Sequence, residues 1–276
     1  MKTIYLLIGA AVFASCSPTS HVPTMPSEPN FTGALQAQAT GGVATDHIEL
    51  QGAVSVLPFL GVTYDYYWGT KGINQQEYGA NLFFPVNNQK TWFISFSAGK
   101  GNGIFNGDYK TSSALVGAEK SYAIDTKFNS EYLQASTYYV DKSNTDVIVK
   151  YSIAFKQENI SYDRFKVAYR SRSGQSYYTY NILSEAENAR TTIKTAFIGV
   201  TVEPKKRPLI MQFQLGVRDV TRGFKTTITA MSGGTSIKSG IDILNAQLHP
   251  LFEPFMFNMT VGFKLDYFKH RTKKRI

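Results

Sequence analysis

The chain has 276 residues, 14% aromatic and only 18% charged, with 17 Tyr, 19 Phe and a formal net charge of +9. Beyond the N-terminus no run approaches the roughly 20 consecutive apolar residues of a membrane helix, which excludes helical spans. The single cysteine excludes an intrachain disulfide and a cysteine-built metal site, and the positive charge is too local, in Lys205, Lys206, Arg207 and the tail 269–275, to suggest nucleic acid as a partner.

The first stretch, 1–15, has Lys2, an apolar run from Ile4 to Phe13, and then Ala14 and Ser15 before Cys16. That is the layout of a secretory signal. A cysteine directly after small residues resembles a bacterial lipoprotein signal, which implies a diacylated Cys16 at the mature N-terminus. Residues 16–31 carry four prolines among Ser, Thr and Asn and read as an anchor and extended linker. The segment after Cys16 is not acidic, so the anchor is expected in the periplasmic leaflet.

From Gly33 onward the pattern is period-two alternation, the signature of strands with one apolar and one polar side. In 33–43, Leu35, Ala37, Ala39 and Val43 oppose Gln36, Gln38 and Thr40. In 47–68, Ile48, Leu50, Val54 and Val56 oppose Glu49, Gln51 and Ser55. After a turn at Leu57, Pro58 and Phe59, Val62, Tyr64, Tyr66 and Trp68 oppose Thr63 and Asp65. Further alternating runs fall at 76–86, 92–99, 131–140, 147–156, 196–202, 209–218 and 257–267. Between them lie three long polar segments, 100–125, 159–190 and 219–254, and several short turns.

About ten strands result, each near the nine to eleven residues that cross a bilayer when tilted. The short turns, at 57–59, 87–90, 141–144 and 203–208, all fall on one side, and the three long segments on the other. This is the asymmetry of an outer-membrane barrel. The non-apolar side is rich in Gln, Ser, Thr, Gly and Asn, which suits a narrow lumen better than the charged surface of a soluble β-sandwich. The expectation is an all-β chain forming a transmembrane antiparallel β-barrel over 32–268, with short periplasmic turns, three long extracellular loops, both termini periplasmic and a basic periplasmic tail at 269–276.

The polar residues expected to face the lumen are Glu49, Gln51, Asp65, Glu77, Lys150, Gln212, Gln214, Arg218, Lys264 and Asp266, with Asp146 as a further charge. Charges inside a barrel are expected to pair with one another, since an unpaired buried charge is costly. A barrel of this size is largely filled by side chains, and open aqueous channels belong to larger ones. Asp46 and His47 at the outer rim and His249 in the third long segment are the residues a hydrolase would use, as a base activating water. Asp in turns is common, and no catalytic role is expected. No P-loop, dinucleotide fingerprint or metal-spaced histidine cluster occurs, so no cofactor or metal is expected.

Three stretches, His21–Pro26 after the cysteine, Glu49–Gly61 in the first hairpin and Glu253–Phe263 near the end, are similar to those of a group of Bacteroidetes outer-membrane lipoprotein barrels. The resemblance implies a fold and a location and carries over no catalytic residues. The functions it leaves open are a structural or accessory subunit of the envelope, or a surface-binding protein using the long segments. Tyr177, Tyr178 and Tyr180 are candidate contacts there. A narrow solute channel is the alternative, and a rim hydrolase ranks below it. Outer-membrane lipid is the expected partner, with an envelope protein complex as a further one.

Overall fold

A computed structural model of the chain describes residues 30–43, 47–69, 72–113, 118–173, 176–186, 188–222, 225–232, 235–242 and 255–264. The signal segment, Cys16, the linker to residue 29, Asp46, His249, Asp266 and the basic tail lie outside the described residues.

The described residues form thirteen strands in one sheet. They are β1 (Ala37–Val43), β2 (His47–Leu57), β3 (Leu60–Gly69), β4 (Ile73–Pro85), β5 (Trp92–Ser113), β6 (Ala118–Asp141), β7 (Val147–Ser173), β8 (Ser176–Ala186), β9 (Ala189–Pro204), β10 (Leu209–Arg222), β11 (Lys225–Ser232), β12 (Thr235–Asp242) and β13 (Phe255–Lys264). Ten of them close a ring in which β1 to β7 follow in order, β9 pairs with β7, β10 with β9, β13 with β10, and β13 returns to β1. Every pairing is antiparallel, and closure leaves the ring without an open edge.

The barrel is inside-out. Along β3, Val62, Tyr64 and Trp68 are 46%, 48% and 60% exposed, while Thr63, Asp65 and Tyr67 between them are 6% or less. The same alternation runs through β7, where Tyr151, Ile153 and Phe155 face outward and Lys150, Ser152, Ala154 and Lys156 inward. A soluble barrel puts its apolar side within. Here the outward face is an apolar belt of the kind a bilayer requires, with Trp92 and Tyr139 as neighbours at its lower margin, their rings 5.7 Å apart.

At the lower end the turns are short and held by local polar contacts. Asn87 Oδ1 accepts from the backbone N–H groups of Thr91 (2.9 Å) and Trp92 (3.1 Å). Asp141 and Asn144 each accept from the N–H two residues on, at 2.8 Å. The last two are Asx turns, one reason such residues lead at tight reversals.

At the upper end the connections are long, as expected, but the described residues in them are mostly strand rather than loop. β5, β6 and β7 have 22, 24 and 27 residues, far beyond a bilayer crossing. β5–β6 pairing continues without interruption to Ser113 and Ala118. What changes above the belt is the outward face, which turns from Ala98 and Leu133 to Lys100 and Glu131, an ion pair at 3.0 Å. The composition therefore reads as loop although the ladder persists.

Asp163 is an extra residue in β7, where the register with β6 shifts. Such a bulge bends a strand, and β7 changes partner there. Below it, Val147 to Tyr162 pair with β9; above it, Phe165 to Ser173 pair with β8. β8, β11 and β12 thus leave the ring as an extension of the sheet.

Candidate functional site

The lumen is where the chain concentrates its buried polar groups, and it is filled in three layers. The lowest begins with the segment before β1. The chain reverses around residues 32–36, where Gln36 Oε1 accepts from Thr32 N (2.8 Å) and Leu35 adopts a positive φ of 57°. The reversal carries Asn30 and Phe31 back into the lower mouth, both buried. The Phe31 ring lies 5.7 Å from that of Phe83 and against Gly61, where an added Cβ would come within 2.7 Å of it.

The backbone of the same two residues is tied to the wall. Lys150 Nζ donates to the Asn30 carbonyl at 2.9 Å, the Tyr138 hydroxyl donates to the Phe31 carbonyl, and Asn30 Nδ2 donates to Thr201 Oγ1 at 3.3 Å. Tyr138 is itself stacked on Phe93, with ring centroids 5.0 Å apart. Glu203 takes the Lys150 ammonium at 2.6 Å and the Lys264 ammonium beside it, so three charges close on one another around the plug.

The middle layer is polar and charged. Lys156 Nζ is 2.7 Å from Glu77 Oε2, with both side chains 2% exposed, and sits 4.5 Å from the centroid of the Tyr132 ring. Glu49 accepts hydrogen bonds from Gln51 Nε2 (2.5 Å), Asn258 Nδ2 and the Tyr67 hydroxyl. Asn81 Nδ2 donates to Ser95 and Ser97, both at 2.7 Å. Asp65, Glu158 and Arg218 are buried at this level and interact with neighbours.

Above lies an apolar cluster that includes Tyr67, Phe105, Phe128, Ile160, Tyr162, Phe165 and Ile193. Glycines make room for these large side chains. Gly99, Gly101 and Gly103 face inward on β5, and added Cβ atoms there would meet Tyr132, Ser130 and Phe128 of β6 at 2.4–2.6 Å. One wall gives up its side chains so that its neighbour's aromatics can cross the lumen.

Of the residues expected in the lumen, Glu49, Gln51, Asp65, Glu77, Lys150, Gln212, Gln214 and Arg218 are buried there. Lys264 reaches in from the lower end through Glu203. Asp146 does not belong to the lumen. It lies in the exposed turn after β6 and pairs with Lys206 at 3.2 Å, because the alternation that would aim it inward starts only at Val147. Tyr177, Tyr178 and Tyr180 lie in strand β8 and not in a loop. His47 begins β2.

Asn30, Phe31, Tyr138, Lys156 and Glu203 join the lumen in addition to the residues expected there. Lys156 and Tyr138 carry a usable signal, since both stand on the polar side of an alternating run. In the sequence Glu203 falls in a short turn, and Phe31 at the end of the linker, where no alternation marks either.

No protein-family model matches the chain, and no curated protein matches it in sequence. Among solved structures it is similar to CarO of Acinetobacter baumannii, at 12% identity and a TM-score of 0.28, over 84% of this chain and 96% of that one. It is also similar to OmpT, an outer membrane protein of Vibrio cholerae, at 6% identity and a TM-score of 0.17, over 83% of this chain and 95% of that one. Identities and scores of this size carry over neither residues nor function.

Proposed function

We propose that the chain is an outer-membrane barrel lipoprotein that acts as a binding or accessory subunit of the cell envelope, with a lumen that does not conduct. The observation that carries this reading is the filled interior. The N-terminal segment occupies the lower mouth, a charged layer closes above it, and an apolar cluster fills the upper part. An open pore needs a continuous wet path, and an apolar cluster of that depth opposes one.

The membrane placement rests on the outward apolar belt and on the short lower turns, which correspond to the periplasmic side. The chain enters the lower mouth at Asn30, which suits an acyl anchor at Cys16 in the leaflet below. The paired strands above the belt, with β8, β11 and β12, then form a surface held clear of the bilayer, on which Tyr177, Tyr178 and Tyr180 are candidate contacts.

Planar-bilayer recording tests the reading. Protein shown to be inserted is expected to be electrically silent, and stable conductance steps from the unmodified chain would favour the narrow channel instead. Incorporation of labelled fatty acid, lost in Cys16→Ala, tests the anchor separately; label retained in that variant removes it.

A further inference from the structure

The middle layer of the lumen carries more acid than base. Among the described residues its buried acids are Glu49, Asp65, Glu77 and Glu158, against Lys156 and Arg218. The lower trio does not redress this, since Lys150 is six residues down β7 from Lys156, about 20 Å away. A buried surplus of one sign is costly unless another charge answers it.

The surplus gathers on β3 and β4. Asp65 and Glu77 are direct register partners there, both inward and both buried. Like charges set opposite each other across a ladder destabilise it. Lys156 answers Glu77, but Glu158 acts on the same ammonium. Glu49 is engaged elsewhere, by Gln51, Asn258 and the Tyr67 hydroxyl.

Two neutral side chains converge on the same place. Gln75 is the next inward residue above Glu77 on β4 and is 2% exposed, yet neither atom of its amide meets a hydrogen-bond partner among the described residues. Ser130 on β6 is also 2% exposed, and its hydroxyl is likewise unanswered there. Gly101, between them in the sheet, lets Ser130 and Glu77 close in. The point where a Cβ would stand is 2.6 Å from Ser130 Oγ and 2.9 Å from Glu77 Cγ. Orphaned polar atoms are costly when buried, and these two lie beside an acid pair.

We propose that Asp65, Glu77, Gln75 and Ser130 bind a small monovalent cation, of the size of sodium, within the lumen. Carboxylate, amide and hydroxyl oxygens are the ligands that a hard cation takes. No group of three Asp, Glu, His or Cys among the described residues could hold a metal ion, which sets aside a divalent centre built on acids or imidazoles. A single positive charge suffices, because Lys156 already meets Glu77.

The test is urea unfolding of the full chain in vesicles, in sodium chloride or in choline chloride at equal ionic strength, choline being too large for the site. At about ten times the half-saturating concentration, sodium is expected to raise the midpoint by about 0.5 M or more. Ser130→Ala and Gln75→Leu should each abolish that shift. In choline both variants should be at least as stable as the unmodified chain, because each removes a buried polar group that lacks a partner. A purely structural role for either residue would instead lower stability equally in both salts.

Equal midpoints of the unmodified chain in the two salts overturn the proposal, whether or not the variants fold, and leave Gln75 and Ser130 to water. A sodium shift that survives in both variants overturns it as well, by placing the ion elsewhere. The site belongs to the closed ring, so a conducting barrel would leave it standing, and its failure would leave the silent barrel standing.

Discussion

Phe31 shows how much one side chain contributes to this barrel. Its ring fills the lower mouth between Phe83 and Gly61, and its carbonyl and that of Asn30 receive the Tyr138 hydroxyl and the Lys150 ammonium. Phe31→Ala removes the ring but not those backbone bonds, so a cost of about 3 kcal/mol is expected, read from the urea dependence of unfolding in lipid. The variant should stay electrically silent, because the charged and apolar layers above remain. Lys156 and Glu77 make a different case. Lys156→Met strands a buried carboxylate and is expected to cost about 3–5 kcal/mol, whereas K156M/E77L, which removes both charges, should recover most of it. Equal stability of the single and double variants would show that the pair is not closed off from water. At the lower rim, the N–H of Ser143, and then its hydroxyl, hold the exposed Asp141 carboxyl below the usual carboxylate range. A lowered value favours the folded turn above the ordinary range, and this contribution fades as pH drops through the shifted one. Protection of the Ser143 amide, taken relative to the intrinsic exchange rate at each pH, should therefore fall below about pH 4, and protection insensitive to acid would count against the turn as described.

At the scale of elements, β7 divides the molecule. Its lower part closes the ring with β9 and its upper part carries β8, with the Asp163 bulge between them. Tyr162 and Ala189 are register partners, so a tight turn joining them would remove β8 without stretching the ring. The shortened chain loses Phe165 and Val167 from the apolar cluster and is expected to be less stable. It should still form a barrel whose gel mobility changes on boiling. Loss of that behaviour would mean that the upper strands are needed for closure itself. The glycine face of β5 is the second device at this scale. Gly103→Val sets a branched side chain where Phe128 lies and should destabilise by about 1–3 kcal/mol as an overpacked site, read by the same urea titration.

At the scale of the whole molecule, the barrel wall is written in the sequence and its contents are not. Alternation is local, so the segment from His47 to Trp68 displays which side chains share a face, and the structure keeps that division. The upper strands look like loops in the sequence because their outward side becomes polar at Lys100, Asn102 and Asn129, which removes the contrast that alternation depends on. The partners of the lumen charges follow from closure. Lys156 and Glu77 lie on β7 and β4, strands with no direct pairing, and their meeting depends on the curvature of the entire ring. Phe31 belongs to no periodic run at all, and only a filled mouth gives it meaning. The account as a whole stands on the inside-out arrangement, and adjacent residues on β7 test it most directly. In a Cys16→Ala background, single cysteines at Ile153 and Ser152 are labelled with a fluorophore in liposome-inserted protein, in lipid with or without a spin-labelled quencher on the acyl chain. The account predicts a quenched fluorophore at 153 and little labelling at 152, since Ile153 is 51% exposed and Ser152 only 5%. Ready labelling at 152, or a fluorophore at 153 that responds to water-soluble quencher and not to lipid, would contradict it.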